Sequence, residues 1–171
     1  MKKVLLAYCT THGSTQETAE RIHKVLMQAG LKADLQEARS VRSLDGYDAV
    51  VLGFPLYMFK MHKDSRRFLS RFQKEFRNGL PLAVFAGGPI EPEKKDEQLK
   101  EAAEQVEKEL GKFPELKPVS VLTIGGFFDP DSLKLPYSII PAMKQFPAAD
   151  LRDWDRITAW AEELPGLLKL T

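Results

Sequence analysis

Apolar residues recur along this chain in two rhythms. Val4 to Cys9 is a short unbroken apolar run. Asp48–Phe54, around Ala49-Val50-Val51-Leu52, and Leu82–Ala86 are two more. Runs of this length predict strands buried on both faces, as in a parallel sheet. Val119–Ile124 predicts a further strand, while Leu31, Ala33 and Leu35 alternate with Lys32, Asp34 and Gln36 and predict a half-exposed edge strand. Between these runs the spacing becomes helical. Ile22, Val25, Leu26 and Ala29 form one stripe of a helix over 14–29, closed by Gly30. Phe68, Leu69, Phe72 and Phe76 mark a helix over 63–77, and Leu99, Ala102, Ala103, Val106 and Leu110 mark one over 93–110. A last helix opens near Asp153, with Trp154, Ile157, Ala161 and Leu164 facing inward.

Strands that alternate with helices imply βαβ units, right-handed crossovers and a parallel sheet covered on both faces. The expectation is a single α/β domain over residues 1–171, with an irregular, proline-rich insert at about 125–152 before the last helix. Open sheets of this kind bind ligands beyond the carboxyl ends of their strands. The loops after the first, third, fourth and fifth predicted strands are therefore where function is sought.

Composition narrows the class. With 43% hydrophobic and 29% charged residues, the chain is neither disordered nor fibrous. Its one cysteine, Cys9, excludes a disulfide-stapled scaffold. Lys plus Arg (25) nearly balances Asp plus Glu (24), so the net charge of +1 gives no argument for a nucleic-acid partner. The longest apolar stretch, Ala49–Phe59, is interrupted by Gly53 and Pro55 and falls short of the ~20 residues a membrane span needs. Lys2-Lys3 before Val4–Ala7 is too short to read as a secretory leader, and a cytoplasmic location is the expectation. His12, His23 and His62 show no metal-ligand spacing, so no metal is expected.

The loop after the first strand reads Thr10-Thr11-His12-Gly13-Ser14-Thr15 and leads directly into a helix. Its hydroxyls, its glycine and the free N–H groups of a helix start favour an anion. The same residues also suit an ordinary strand-to-helix turn. Other phosphate loops are excluded by inspection: there is no G-x-x-x-x-G-K-[ST] and no G-x-G-x-x-G. A phosphatase with Cys9 as nucleophile would need an arginine where Thr15 stands, and Gly53 occupies the place of a receiver aspartate.

This loop resembles the flavodoxin phosphate loop, [ST]-x-T-G-x-T, which binds the 5′-phosphate of FMN. Thr10, Thr11, Gly13, Ser14 and Thr15 match in place, and His12 stands where the family usually has threonine. The resemblance extends over nearly the whole chain in element order. It implies a flavodoxin-like three-layer sandwich with a five-stranded parallel sheet in the order 2-1-3-4-5. It further implies that Pro55, Leu56, Tyr57 and Met58, with Phe59 beyond them, line the isoalloxazine ring. Tyr57 is the main stacking candidate, although strand-end aromatics also serve as plain core. Ala86, Gly87, Gly88 and Pro89, before Ile90, would meet the pyrimidine edge through backbone groups, and Gly125-Gly126 would either do likewise or form a plain turn.

Three departures from the family pattern bear on function. The loop after the fourth strand has no aromatic, so one flavin face would be open or covered by another segment. The loop at Tyr57-Met58 has no glycine, and a non-glycine residue resists the positive φ that a stabilising peptide flip requires. The composition is not acidic, unlike that of many flavodoxins. The last two favour a two-electron FMN oxidoreductase that passes electrons from an organic substrate to a quinone or other acceptor. The alternatives are a one-electron carrier between protein partners and an interaction module that has lost FMN.

The position of the insert, the Asp153-Trp154 pair and His62 resemble the menaquinone-dependent protoporphyrinogen oxidase branch of the superfamily, which implies a protoporphyrinogen-like substrate. Lys60, His62, Lys63, Arg66, Arg67, Arg71 and Lys74 make one flank of the second long helix basic. His62, Lys63 and Arg66 are the candidates for receiving substrate carboxylates; a merely solvated helix face is the other reading. The insert is dense in apolar residues for a loop, with Tyr137, Ile139, Ile140 and Met143 among them. It would serve as a lid, a substrate pocket, a contact with a quinone-bearing membrane surface, or a segment packed on its own core.

Overall fold

The computed structural model describes all residues except Phe59, Pro89 and Ile90. Five strands form the parallel sheet: β1 (Lys3–Tyr8), β2 (Lys32–Glu37), β3 (Ala49–Tyr57), β5 (Leu82–Gly87) and β6 (Ser120–Ile124), in the order β2-β1-β3-β5-β6. This is the expected 2-1-3-4-5 order. An additional short strand, β4 (Lys60–Met61), pairs antiparallel with the end of β3.

The period-2 geometry of β1 sorts its side chains between two cores. Leu6 joins Ile22 and Leu26 of α1 (Ser14–Gln28) and Ile157 and Leu164 of α5 (Trp154–Leu167). Leu5 joins Leu69 and Phe72 of α2 (Lys63–Arg77) and Val106 of α3 (Lys95–Leu110) on the other face. Two helices on each face complete the three layers. Each helix runs close to the limits its apolar spacing predicts, and the Asp153 side chain caps α5 by accepting from Arg156 N at 3.0 Å. No helix among the described residues is long and apolar enough to cross a membrane.

Two expectations need correction. Residues 54–59 were expected as a loop, but β3 continues to Tyr57 and folds back through Met58 into β4, pairing Tyr57 with Lys60 and Leu56 with Met61. Pro55 is tolerated there because β1 pairs with β3 only as far as Gly53, which leaves one edge open. Glu109, 2% exposed on α3, holds the returning strand by accepting from Met61 N at 3.2 Å. Met58 adopts φ 46°, so the left-handed conformation its side chain was expected to resist is the one the turn uses.

The insert, expected to be irregular, is also partly ordered. β7 (Phe127–Phe128) pairs antiparallel with β8 (Ala149–Asp150), and α4 (Pro141–Lys144) lies between them. Local spacing could not reveal this, because strands of two residues carry no periodicity and their partners are distant in sequence.

Candidate functional site

The candidate residues gather at the carboxyl end of the sheet. β1 delivers Thr10 to Gly13 at the start of α1, where Gly13 sits at φ 93° with nothing within 4 Å of the place a Cβ would take. Only glycine adopts this conformation without strain. The Thr10 hydroxyl accepts from Gly13 N at 2.8 Å and fixes the loop. Thr15 is buried at 6% exposure, and Ser14 is half-buried. A cavity of about 250 Å³ opens over the loop, lined by Thr10 to Gly13 and Gln16, with Lys134 reaching in from the insert. A wider hollow of about 590 Å³ at the opposite end of the sheet, near Gly30, Asp48 and Leu170, holds none of the candidates.

Four rings meet beside this loop. Tyr57 and Tyr137 stack with centroids 6.4 Å apart and planes inclined by 20°. His12 stands nearly perpendicular to both, with centroids 6.3 Å from Tyr57 and 5.7 Å from Tyr137. His62 lies 6.3 Å from Tyr57, and its Nε2 is 3.4 Å from the Thr11 hydroxyl. Tyr137 comes from the insert. In the sequence it stands only as one of the insert's many apolar residues.

Burial sets the protonation of this cluster. It lowers His12 below its ordinary value, and the nearby Lys134 ammonium adds to the effect. Burial also lowers His62, with Asp64 opposing and Lys63 and Arg66 assisting. Burial thus favours the neutral form of both imidazoles. The Tyr57 phenol is pushed up by burial, with Thr11 pulling the other way. Cys9, packed under the loop, accepts from the Ser65 hydroxyl at 3.2 Å, and burial pushes its thiol up to about 12. That excludes a reactive thiolate.

The remaining candidates divide. Gly87 ends β5 with open space where a Cβ would stand, whereas a Cβ on Gly88 would lie 2.8 Å from Ala102 Cβ. Gly87 thus leaves room for a flat group, and Gly88 serves close packing on α3. Ala86 is fully buried, Pro55 is buried in the strand and Leu56 is half-buried. Met58, at 91% exposure, stands clear of the cluster. Pro89, Phe59 and Ile90 lie outside the described residues. Gly125 packs against the insert, since a Cβ there would meet the Leu151 carbonyl oxygen at 1.9 Å. Lys63 and Arg66 are exposed on the first turn of α2, immediately after His62.

These residues suit FMN by the chemistry of their donors. The loop offers hydroxyls, free helix-start N–H groups and a nearby ammonium for a phosphate. His12 Nδ1 is buried and has no hydrogen-bond partner among the described residues. Buried polar atoms are seldom left so, and this one is available to a ligand at the loop.

Comparison with known proteins agrees. The model of the family described as "Flavodoxin domain" matches residues 5–135. Oxidised flavodoxin 1 from Bacillus cereus aligns with 99% of this chain and 98% of its own, at 14% identity and TM-score 0.61. A cysteine-to-serine variant of flavodoxin from Pseudomonas aeruginosa aligns with 98% of this chain and 99% of its own, at 19% identity and TM-score 0.59. Rubredoxin oxygen:oxidoreductase from Desulfovibrio gigas aligns with 99% of this chain and 37% of its own, at 15% identity and TM-score 0.59. At these identities the structural likeness speaks to the fold. None of these matches supports the narrower protoporphyrinogen oxidase resemblance.

Proposed function

This chain belongs to the flavodoxin domain family, its cofactor is FMN and its chemistry is redox; from that premise we propose that it is an oxidoreductase exchanging electron pairs between an organic substrate and a second acceptor. When bound, FMN supplies the electron and hydride transfer. The chain's own residues bind, orient and supply protons. Thr10, Thr11 and Ser14 donate hydroxyls to the phosphate, and the first turn of α1 adds backbone N–H groups, Thr15 among them. Tyr57 stacks on the ring system, and Gly87 admits its edge.

The observation that carries the two-electron reading is the placement of two imidazoles, His12 and His62, each with its ring centroid 6.3 Å from that of Tyr57. Moving an electron pair to or from an organic molecule moves protons as well, and a neutral imidazole accepts one. A bare electron carrier needs no such group. Lys63 and Arg66, beside His62, suit a substrate carboxylate, and a protoporphyrinogen-like tetrapyrrole belongs to that class. An apolar acceptor such as a quinone would meet the exposed Leu135, Ile139 and Ile140 of the insert.

The one-electron carrier remains the second reading, favoured by Met58. Its left-handed conformation supplies the positive φ that a non-glycine residue ordinarily resists. Stepwise reduction of the FMN-loaded protein, followed by its visible spectrum, decides between them. A direct passage from oxidised to fully reduced flavin, with a His62→Gln variant slowed in substrate turnover, supports the oxidoreductase. Accumulation of a one-electron-reduced form, unaffected by His62→Gln, supports the carrier.

A further inference from the structure

Arg152 belongs to no part of the reading above, yet it is the most elaborately held charge in the molecule. Its side chain is 5% exposed. Nη1 donates to Glu17 Oε2 at 2.7 Å and to the Ser14 carbonyl oxygen at 3.2 Å. Nε donates to Asp150 Oδ1 and Nη2 to Asp150 Oδ2, each at 2.8 Å. The guanidinium carbon lies 4.8 Å from the Phe127 ring centroid and 4.6 Å from that of Trp154. Both short strands of the insert, the start of α5 and the first turn of α1 therefore meet on one planar group.

Two consequences follow for the phosphate end of the site. Ser14 is the residue after Gly13, so the bond to its carbonyl ties the loop to the insert's return strand. Glu17 is the only acid in the first turn of α1, and an unpaired carboxylate there would repel a phosphate dianion at the same helix start. Arg152 Nη1 pairs with it and screens its charge, while the fork of Nε and Nη2 holds Asp150.

We propose that Arg152 is a positioning residue for the FMN phosphate: it screens Glu17 and locks the first turn of α1 to the insert. The proposal rests on the reading that the loop at 10–15 takes that phosphate. It predicts that phosphate-dependent affinity is sensitive to Arg152 and that stacking affinity is not.

The test compares FMN with riboflavin, which lacks the phosphate, by quenching of flavin fluorescence at low and high salt. Arg152→Gln is expected to weaken FMN roughly tenfold at low salt, less at high salt, with riboflavin unchanged. Adding Glu17→Gln in the same chain restores most of the FMN affinity. Arg152→Lys keeps the charge without the fork, so it retains more of the FMN preference; it also serves if Arg152→Gln fails to fold. A merely structural Arg152 would weaken both flavins together and would not be rescued by Glu17→Gln. Either of those results, or an FMN affinity indifferent to Arg152, overturns the proposal. A protein that binds FMN no better than riboflavin removes the phosphate reading and the proposal with it. A preserved wild-type preference that Arg152→Gln leaves intact removes the proposal alone.

Discussion

Tyr57 and Tyr137 lie nearly parallel, 6.4 Å between ring centroids, although one ends a core strand and the other belongs to an insert packed outside the sheet. The pair marks where the sheet and the insert meet. Tyr57 is carried by the hairpin that Glu109 pins to α3. Tyr137 is carried by the insert between β7 and β8.

Loss of either ring should weaken flavin binding through stacking. A stacked aromatic contributes about 1–3 kcal/mol per flat ring system it contacts. Tyr57→Ala is expected to weaken FMN and riboflavin equally, by tenfold or more, in a fluorescence titration. Tyr137→Ala should have a smaller effect in the same direction and leave chemical denaturation unchanged, since Tyr137 lies outside both cores.

Glu109 should be costly to remove. Burial pushes its carboxyl up, but the Lys112 ammonium and the Met61 N–H outweigh burial and hold it below the usual range. Glu109→Ala leaves Met61 N without its acceptor, at a cost of about 1–3 kcal/mol. Urea denaturation should register that loss, and the hairpin bearing Tyr57 should gain amide hydrogen exchange.

The two site histidines make stability fall on acidification. Their folded-state values lie below 6.5, so the unfolded chain binds more protons between the folded values and 6.5. Stability should therefore be full above about pH 6.5 and decline as the pH drops below it. Melting temperatures from pH 7.5 to 5 should show the decline, and it should be shallower in the His62→Gln variant.

Gly13 should tolerate no side chain cheaply. At φ 93° a residue with a Cβ is strained by about 1–3 kcal/mol, although the space around it is open. Gly13→Ala should therefore lower the apparent stability of the apoprotein, and crowding cannot account for the change.

The sheet was legible because its information is local. Buried strands read as continuous apolar runs, their helices as stripes, and strand order follows from the family motif at 10–15. Tyr57 and His62 were legible as candidates because each sits at a strand or helix end beside that motif. Tyr137, Lys134 and Arg152 were not, because β7 pairs with β8 across the rest of the insert and nothing in residues 125–152 announces that register. Met58 contradicted the argument drawn from its lack of glycine. A tight turn between antiparallel strands imposes a conformation that intrinsic preference disfavours, and an exposed side chain pays for it in strain alone.

Calorimetric titration of FMN into the protein and its Thr11→Glu variant tests the phosphate loop most directly. Thr11 is half-buried and lines the cavity, outside both cores, so an acid there would meet the phosphate without entering the core. The prediction is one FMN per chain in the wild type and no measurable binding in a folded Thr11→Glu variant. Undiminished FMN affinity in that variant, or no FMN binding by the wild type, would contradict it.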